Sequence, residues 1–174
     1  MVATVKFSLA PGRLTQSIID YSSTEGIKLF NSATSPAKTL FDGHPNNLNF
    51  FLQQVSDRIK DFGWETICTI TNSDGEEVDL VGDYGQYTLK DVKITASSWH
   101  GEDNQNRNQQ NSYLMFRFLR ESLESKFHNK VTLSKNNYMV DGEEDGPSLF
   151  KVIIMKSQLD TMATVSHIRE NLSS

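Results

Sequence analysis

Residues 147–157 constrain the fold of this chain more than any other stretch. Leu149, Phe150, Val152, Ile153, Ile154 and Met155 follow Pro147 with only Lys151 interrupting them. Proline is well placed in the first turn of a helix, where its missing N–H has no partner to lose. A helix that is apolar nearly all the way round belongs inside a core. The rest of the chain must therefore supply amphipathic walls around it.

Those walls are legible. Leu48, Phe51, Leu52, Val55, Ile59 and Phe62 recur at spacings of three and four over four turns. Pro45 or the asparagines Asn46 and Asn47 open that helix, and Gly63 ends it. A shorter helix is predicted between Asp20 and Thr34, with Ser23 or Thr24 as cap, apolar contacts at Ile27, Leu29 and Phe30, and Pro36 as its stop. Glu65 to Ile70 is expected to form a further short helix, and 72–77 a turn. Thr88 with Asp91 three residues on is a capping-box pattern that opens a helix to about Trp99.

Gly101 to Asn111 is polar and rich in Asn and Gln, and reads as a surface loop leading into a helix over Ser112–Lys126. Val131–Leu133 and Tyr138–Val140 around 134–137 are expected to pair as a small β-hairpin. Asp160 would cap a last helix carrying Val165, Ile168 and Leu172, while Val5, Phe7 and Leu9 alternate weakly toward Pro11-Gly12. The resulting expectation is an all-α fold with an extended N-terminal arm over 1–19, a helical domain over 20–174, and one small hairpin.

Charge and cysteine content narrow the function. The 174 residues carry a net charge of −5, all of it after residue 70. Basic residues are scattered singly, whereas tight nucleic-acid binding needs a basic face. A single cysteine, Cys68, excludes an internal disulfide framework and fits a reducing compartment. Within Ile67–Ile70 it reads as a small buried hydrophobe, with a nucleophile as the alternative. There is no run of eighteen apolar residues and no apolar leader, so a soluble, cytoplasmic protein is expected.

Chemistry-bearing motifs are scarce. His44, His100, His128 and His167 have no partner at zinc-ligand spacing. Asp141, Glu143 and Asp145 with Gly146 imitate the start of a calcium loop, but position 12 is Val152 where a bidentate Glu is required; the segment reads as a solvated acidic turn. Gly82–Gly85 lacks the Lys-Ser/Thr of a phosphate loop. No Gly-x-Ser-x-Gly elbow exists, and Glu76-Glu77 and Glu143-Glu144 sit in polar turns where nothing favours acid catalysis. No catalytic, cofactor or metal residue is assigned. Phe41, Trp64, Tyr84, Tyr87, Trp99 and Tyr138 lie beside turns; most are expected in the core, with a minority available as anchors for a protein partner.

The order of motifs resembles a known family. Lys28-Leu29-Phe30, then Phe41-Asp42-Gly43 with Leu48, Phe51 and Leu52, then Phe62-Gly63-Trp64, is similar to the Gag proteins of copia-type LTR retrotransposons. Tyr84-Gly85-Gln86 with Thr88-Leu89 continues the series. So do Asp145-Gly146-Pro147 with Leu149, Lys151, Ile153 and Ile154, and Asp160-Thr161 with Ala163 to Ser166, Ile168 and Arg169. The resemblance implies a retroviral-capsid-N-terminal-domain-like bundle that self-assembles into virus-like particles around element RNA. It implies further Gag helices after Arg169, with RNA contact through a downstream Cys/His knuckle or basic tail absent here. The expected partners are copies of itself and the rest of Gag, with no membrane. The alternatives are a host-derived interaction module that does not assemble, a small enzyme using His100 or His167 beside an acid, and a nucleic-acid binder. A concave pocket burying either histidine beside a carboxylate is the feature that would favour the enzyme.

Overall fold

The computed structural model describes residues 17–100 and 106–158. The expected N-terminal arm and the helix capped by Asp160 fall almost wholly outside those residues, as does His167. The described part is mainly helical, with two short antiparallel strand pairs.

Helix α1 spans Thr24–Thr34. The Ser23 hydroxyl accepts from the Gly26 N–H at 2.9 Å, satisfying one of the first-turn donors. Ser35, preceding Pro36, is extended as a pre-proline residue prefers, and the helix stops there. Leu29 and Phe30 pack on the core, but Ile27 is exposed, contrary to expectation. Helix α2, Leu48–Phe62, buries Leu48, Phe51, Val55 and Ile59, the expected stripe. A 3₁₀ turn at Pro45–Asn47 leads into it, with His44 Nδ1 accepting from the Asn46 N–H at 3.1 Å. Gly63 closes α2 in the left-handed conformation (φ 70°) and donates its N–H to Ile59.

The chain then departs from expectation. Trp64–Ile67 is a 3₁₀ turn, and Thr69–Thr71 is a strand, β1, paired with β2, Glu77–Asp79. Two β-branched threonines flank Ile70 there, and Asn72 closes the turn by accepting from the Asp74 and Glu76 N–H groups. Helix α3, Leu89–Ala96, opens with both halves of the capping box in place. Tyr87, just before it, donates its hydroxyl to the Leu80 carbonyl at 2.6 Å, and burial pushes that phenol's pKa far up.

Helix α4 runs Arg107–Glu121, starting five residues earlier than expected because Asn106 caps it through the Gln109 N–H. It also ends five residues earlier. At Ser122 the hydroxyl turns back to the Phe118 carbonyl, and the backbone joins Phe41 in an isolated parallel bridge. Phe41 stacks on Phe51 (4.5 Å) and meets Phe127 edge-on (5.4 Å). The expected hairpin over 131–140 is absent: Val131 and Thr132 belong to helix α5, Ser125–Thr132, and Lys135–Tyr138 is a 3₁₀ turn. Phe127 and Val131, four apart on α5, both reach the core, so packing of a helical face overrides local strand composition. The hairpin lies further on, β3 Met139–Val140 against β4 Glu143–Glu144, around Asp141 and Gly142 at φ 51° and 81°. Two consecutive positive φ angles are what an Asp-Gly hairpin turn supplies.

Helix α6, 146–158, fills the centre as expected: Leu149, Phe150, Val152, Ile153 and Ile154 are all buried. No helix among the described residues is long and apolar enough to cross a membrane.

Candidate functional site

The start of α6 carries the densest polar chemistry in the core. Gly146 and Ser148 leave first-turn N–H groups that need acceptors, and the residue in position to supply one for Ser148 is Asp145. Its Oδ2 accepts from the Ser148 N–H (2.9 Å) and the Ser148 hydroxyl (2.6 Å). Its Oδ1 accepts from the Ser112 hydroxyl (2.7 Å) on α4 and from His100 Nε2 (2.9 Å), just after α3. The carboxylate is fully buried and has four donors; helix α6 adds its positive end. The sequence reading of 141–146 as a solvated acidic turn is thus wrong for Asp145. It holds for Asp141, which is exposed on the hairpin turn. The segment cannot be a calcium loop, because its acids point into separate environments and its backbone turns sharply at Asp141-Gly142.

Ser112 and Gly146 fix how closely α4 and α6 approach. The Gly146 N–H donates to Ser112 Oγ at 3.0 Å. A Cβ on Gly146 would lie 2.7 Å from the Ser112 carbonyl oxygen and 2.7 Å from Met115 Cβ, so only glycine fits without displacement.

A serine, a histidine and an aspartate meet here, yet not as a nucleophilic relay. In such a relay the imidazole stands between hydroxyl and carboxylate and takes the hydroxyl proton. Here the carboxylate stands between the other two. Ser112 gives its proton to Asp145, its oxygen accepts from Gly146, and His100 Nε2 lies 3.5 Å away. Ser112 is also fully buried. The proton on His100 is assigned to Nε2 because its partner is a carboxylate oxygen, which leaves Nδ1 as an acceptor. Nδ1 is buried and has no hydrogen-bond partner among the described residues.

His100 also lines a cleft of about 270 Å³, whose other walls are Tyr21, Gln109, Gln110, Tyr113, Glu143 and Glu144. Gln110 anchors one wall, clamping the Ile19 backbone by N–H···Oε1 (2.7 Å) and Nε2–H···O (3.0 Å) bonds. The structure therefore does bring one of the four histidines beside a carboxylate and a concave surface. His44 serves as a cap, and His128 is half-buried on α5.

The remaining sequence candidates separate. Cys68 is buried, and desolvation together with Asp79 raises its thiol well above the usual value, so it stays protonated. Glu76 is exposed on the β1–β2 turn and Glu77 is exposed at the start of β2, and Gly82–Gly85 forms a turn whose Tyr84 carbonyl accepts from Lys151 Nζ at 2.7 Å. Among the aromatic residues Phe41, Trp64, Tyr87, Trp99 and Tyr138 are buried and Tyr84 is half-buried. Among the described residues no three His, Cys, Asp or Glu side chains gather as a metal-ligand set.

Sequence reasoning missed Ser112, Ser148 and the burial of Asp145. The one available signal was Asp145 standing two residues before Pro147, an N-cap position. Compared with protein-family models, with curated proteins and with solved structures, the chain gives no match.

Proposed function

We propose that this chain is a structural domain of the Gag type, resembling the N-terminal capsid domain of copia-type LTR retrotransposon Gag, which builds a particle by contacts between copies. The observation that supports this reading is where the resembling residues lie. Phe41, Leu48, Phe51, Trp64, Leu149, Ile153 and Ile154 are core, Gly63 and Asp145 are caps, and Lys151 ties α6 to the 80–87 turn. Motifs that occupy core and caps carry a scaffold from one sequence to another, with no reacting group among them. The sole Ser–His–Asp meeting point among the described residues is committed to capping α6 and joining it to α3 and α4.

The mechanism is repetition of modest interfaces. Each contact is weak, and closure of a ring or lattice adds avidity. Light scattering and electron microscopy of the full chain over a wide concentration range test it. Growth into regular particles is the expected result for an assembling domain. A protein that stays strictly monomeric at every concentration would overturn assembly and leave the host-derived interaction module. Salt-dependent binding of single-stranded RNA by this chain alone would favour the nucleic-acid reading instead.

A further inference from the structure

The cleft beside His100 sets the acidic residues Glu143 and Glu144 among the Gln109 and Gln110 amides and the Tyr21 and Tyr113 hydroxyls. Neither the Glu143 nor the Glu144 carboxylate has a hydrogen bond or ion pair among the described residues, and both residues contribute to its lining. His100, 3 % exposed, adds a nitrogen lone pair with no partner among the described residues, because its proton is committed to Asp145. The Gln110 amide is taken up at both ends by Ile19. Tyr21 and Tyr113, each more than a third exposed, supply aromatic walls. Two cations lie nearby, but both are occupied and neither forms a wall: Arg107 holds the Ser17 carbonyl and Asn111, and Arg117 donates to the Tyr113 hydroxyl.

We propose that this cleft binds an N–H-rich cation, a guanidinium or ammonium group, held by Glu143 and Glu144, by His100 Nδ1 and by the faces of Tyr21 and Tyr113. An unpaired buried acceptor is costly unless a donor reaches it. A neutral hydroxyl satisfies one acceptor; a guanidinium or ammonium carries three to five donors and the charge that two carboxylates and two aromatic rings favour. The volume also decides. At about 270 Å³ it falls just below the roughly 300–1,000 Å³ of sites for drug-sized ligands and suits a single side chain or a slender amine. The group comes either from an Arg or Lys of another polypeptide or from a free polyamine. The site is independent of whether the chain assembles.

The test is an NMR titration of the full chain with acetyl-Gly-Arg-Gly-amide, with spermidine, and with acetyl-Gly-Gln-Gly-amide as the neutral control. Saturable shifts at Tyr21, Tyr113, Glu143 and Glu144, with movement of the His100 Nδ1 resonance, are expected from at least one cation. The tighter of the two identifies the source. The Glu143→Gln/Glu144→Gln variant, checked for unchanged circular dichroism, should bind at least about tenfold more weakly, the loss expected for one charge-assisted hydrogen bond. Asp141→Asn, on the same turn but outside the cleft, should bind unchanged. Absence of saturable shifts with both cations, equal binding of the Gln peptide, or equal weakening by Asp141→Asn would overturn the proposal.

Discussion

Replacing Asp145 with alanine tests whether the buried carboxylate stabilises the fold or is tolerated at a cost. The substitution removes the cap of α6, worth about 1 kcal/mol. It also strands donors that were aimed at the carboxylate: His100 Nε2–H, the Ser112 hydroxyl and the Ser148 hydroxyl. The Ser148 hydroxyl can rotate to another acceptor. His100 and Ser112 are enclosed, and each unsatisfied group costs about 1–3 kcal/mol. The expected loss is therefore about 3–7 kcal/mol, a large part of the roughly 5–15 kcal/mol that holds a domain together. For a chain of this size, at about 2–4 °C per kcal/mol, it lowers the melting temperature by about 6–28 °C. Urea titrations followed by tryptophan emission and by far-ultraviolet circular dichroism measure it, with Trp64 and Trp99 both buried in the folded state. Asp145→Asn keeps one acceptor but points an amide at two donors, so it should fall between wild type and Asp145→Ala. Ser148→Ala leaves its own N–H bonded to Asp145 and should cost only about 1 kcal/mol. A loss below about 1 kcal/mol for both Asp145 variants would refute the reasoning, because it would mean that desolvating the carboxylate cancels all four of its bonds.

Other perturbations read other parts of the fold. Gly146→Ala should destabilise by about 1–3 kcal/mol in the same assay, since the new methyl meets backbone at Ser112 and the Cβ of Met115. Arg58 Nη1 donates to the Ala33 and Ser35 carbonyls at 2.8 Å each and the guanidinium lies over the Phe118 ring at 4.1 Å; Arg58→Lys should cost about 1–2 kcal/mol and speed amide exchange at the end of α1, because an ammonium lacks the plane that covers the ring while Nη1 bonds the carbonyls. Cys68 should resist an aromatic disulfide reagent until the protein unfolds, and rapid stoichiometric labelling of the native state would contradict its burial. Asp42 is held below its ordinary 3.8 first by the His44 N–H and then by the Asn47 side chain. A lowered folded-state pKa means that its contribution is complete above the unfolded value and is lost as pH falls through the folded one. The penalty of Asp42→Ala should therefore be present at neutral pH and vanish in strong acid, as urea midpoints across that range would show.

How much of this was legible depended on whether the deciding interaction was local. Helices α2 and α6 were readable because apolar period and punctuation agree: Pro45 and Gly63 for one, Pro147 for the other. The capping box at Thr88 and Asp91 was readable because both partners lie within one turn. The hairpin was misplaced because Val131, Thr132, Tyr138 and Met139 have strand-like side chains, while Val131 is held on α5 by burial that no local pattern encodes. Asp141-Gly142 was the better hairpin signal, but its strands are two residues each and leave almost no alternation to see.

The acidic run 141–145 shows why counting charges does not locate a site. Asp141 is exposed at the turn, Glu143 and Glu144 line a cleft, and Asp145, one residue further, is sealed in the core. What separates Asp145 from the others is the start of α6, which demands an acceptor at one position only. His100 and Ser112 lie 45 and 33 residues away from Asp145, so no spacing rule connects the three. Yet that remote pairing gives the cleft its character. By committing the His100 proton to Asp145, it leaves the other ring nitrogen of the neutral imidazole as an acceptor in a residue that lines the same cleft as Glu143 and Glu144. A residue that reads as part of a structural cap thereby sets the chemistry of the surface next to it. Asp145→Asn should accordingly weaken cation binding through the His100 tautomer even where the fold survives, and unchanged binding in a folded Asp145→Asn variant would separate the cap from the cleft.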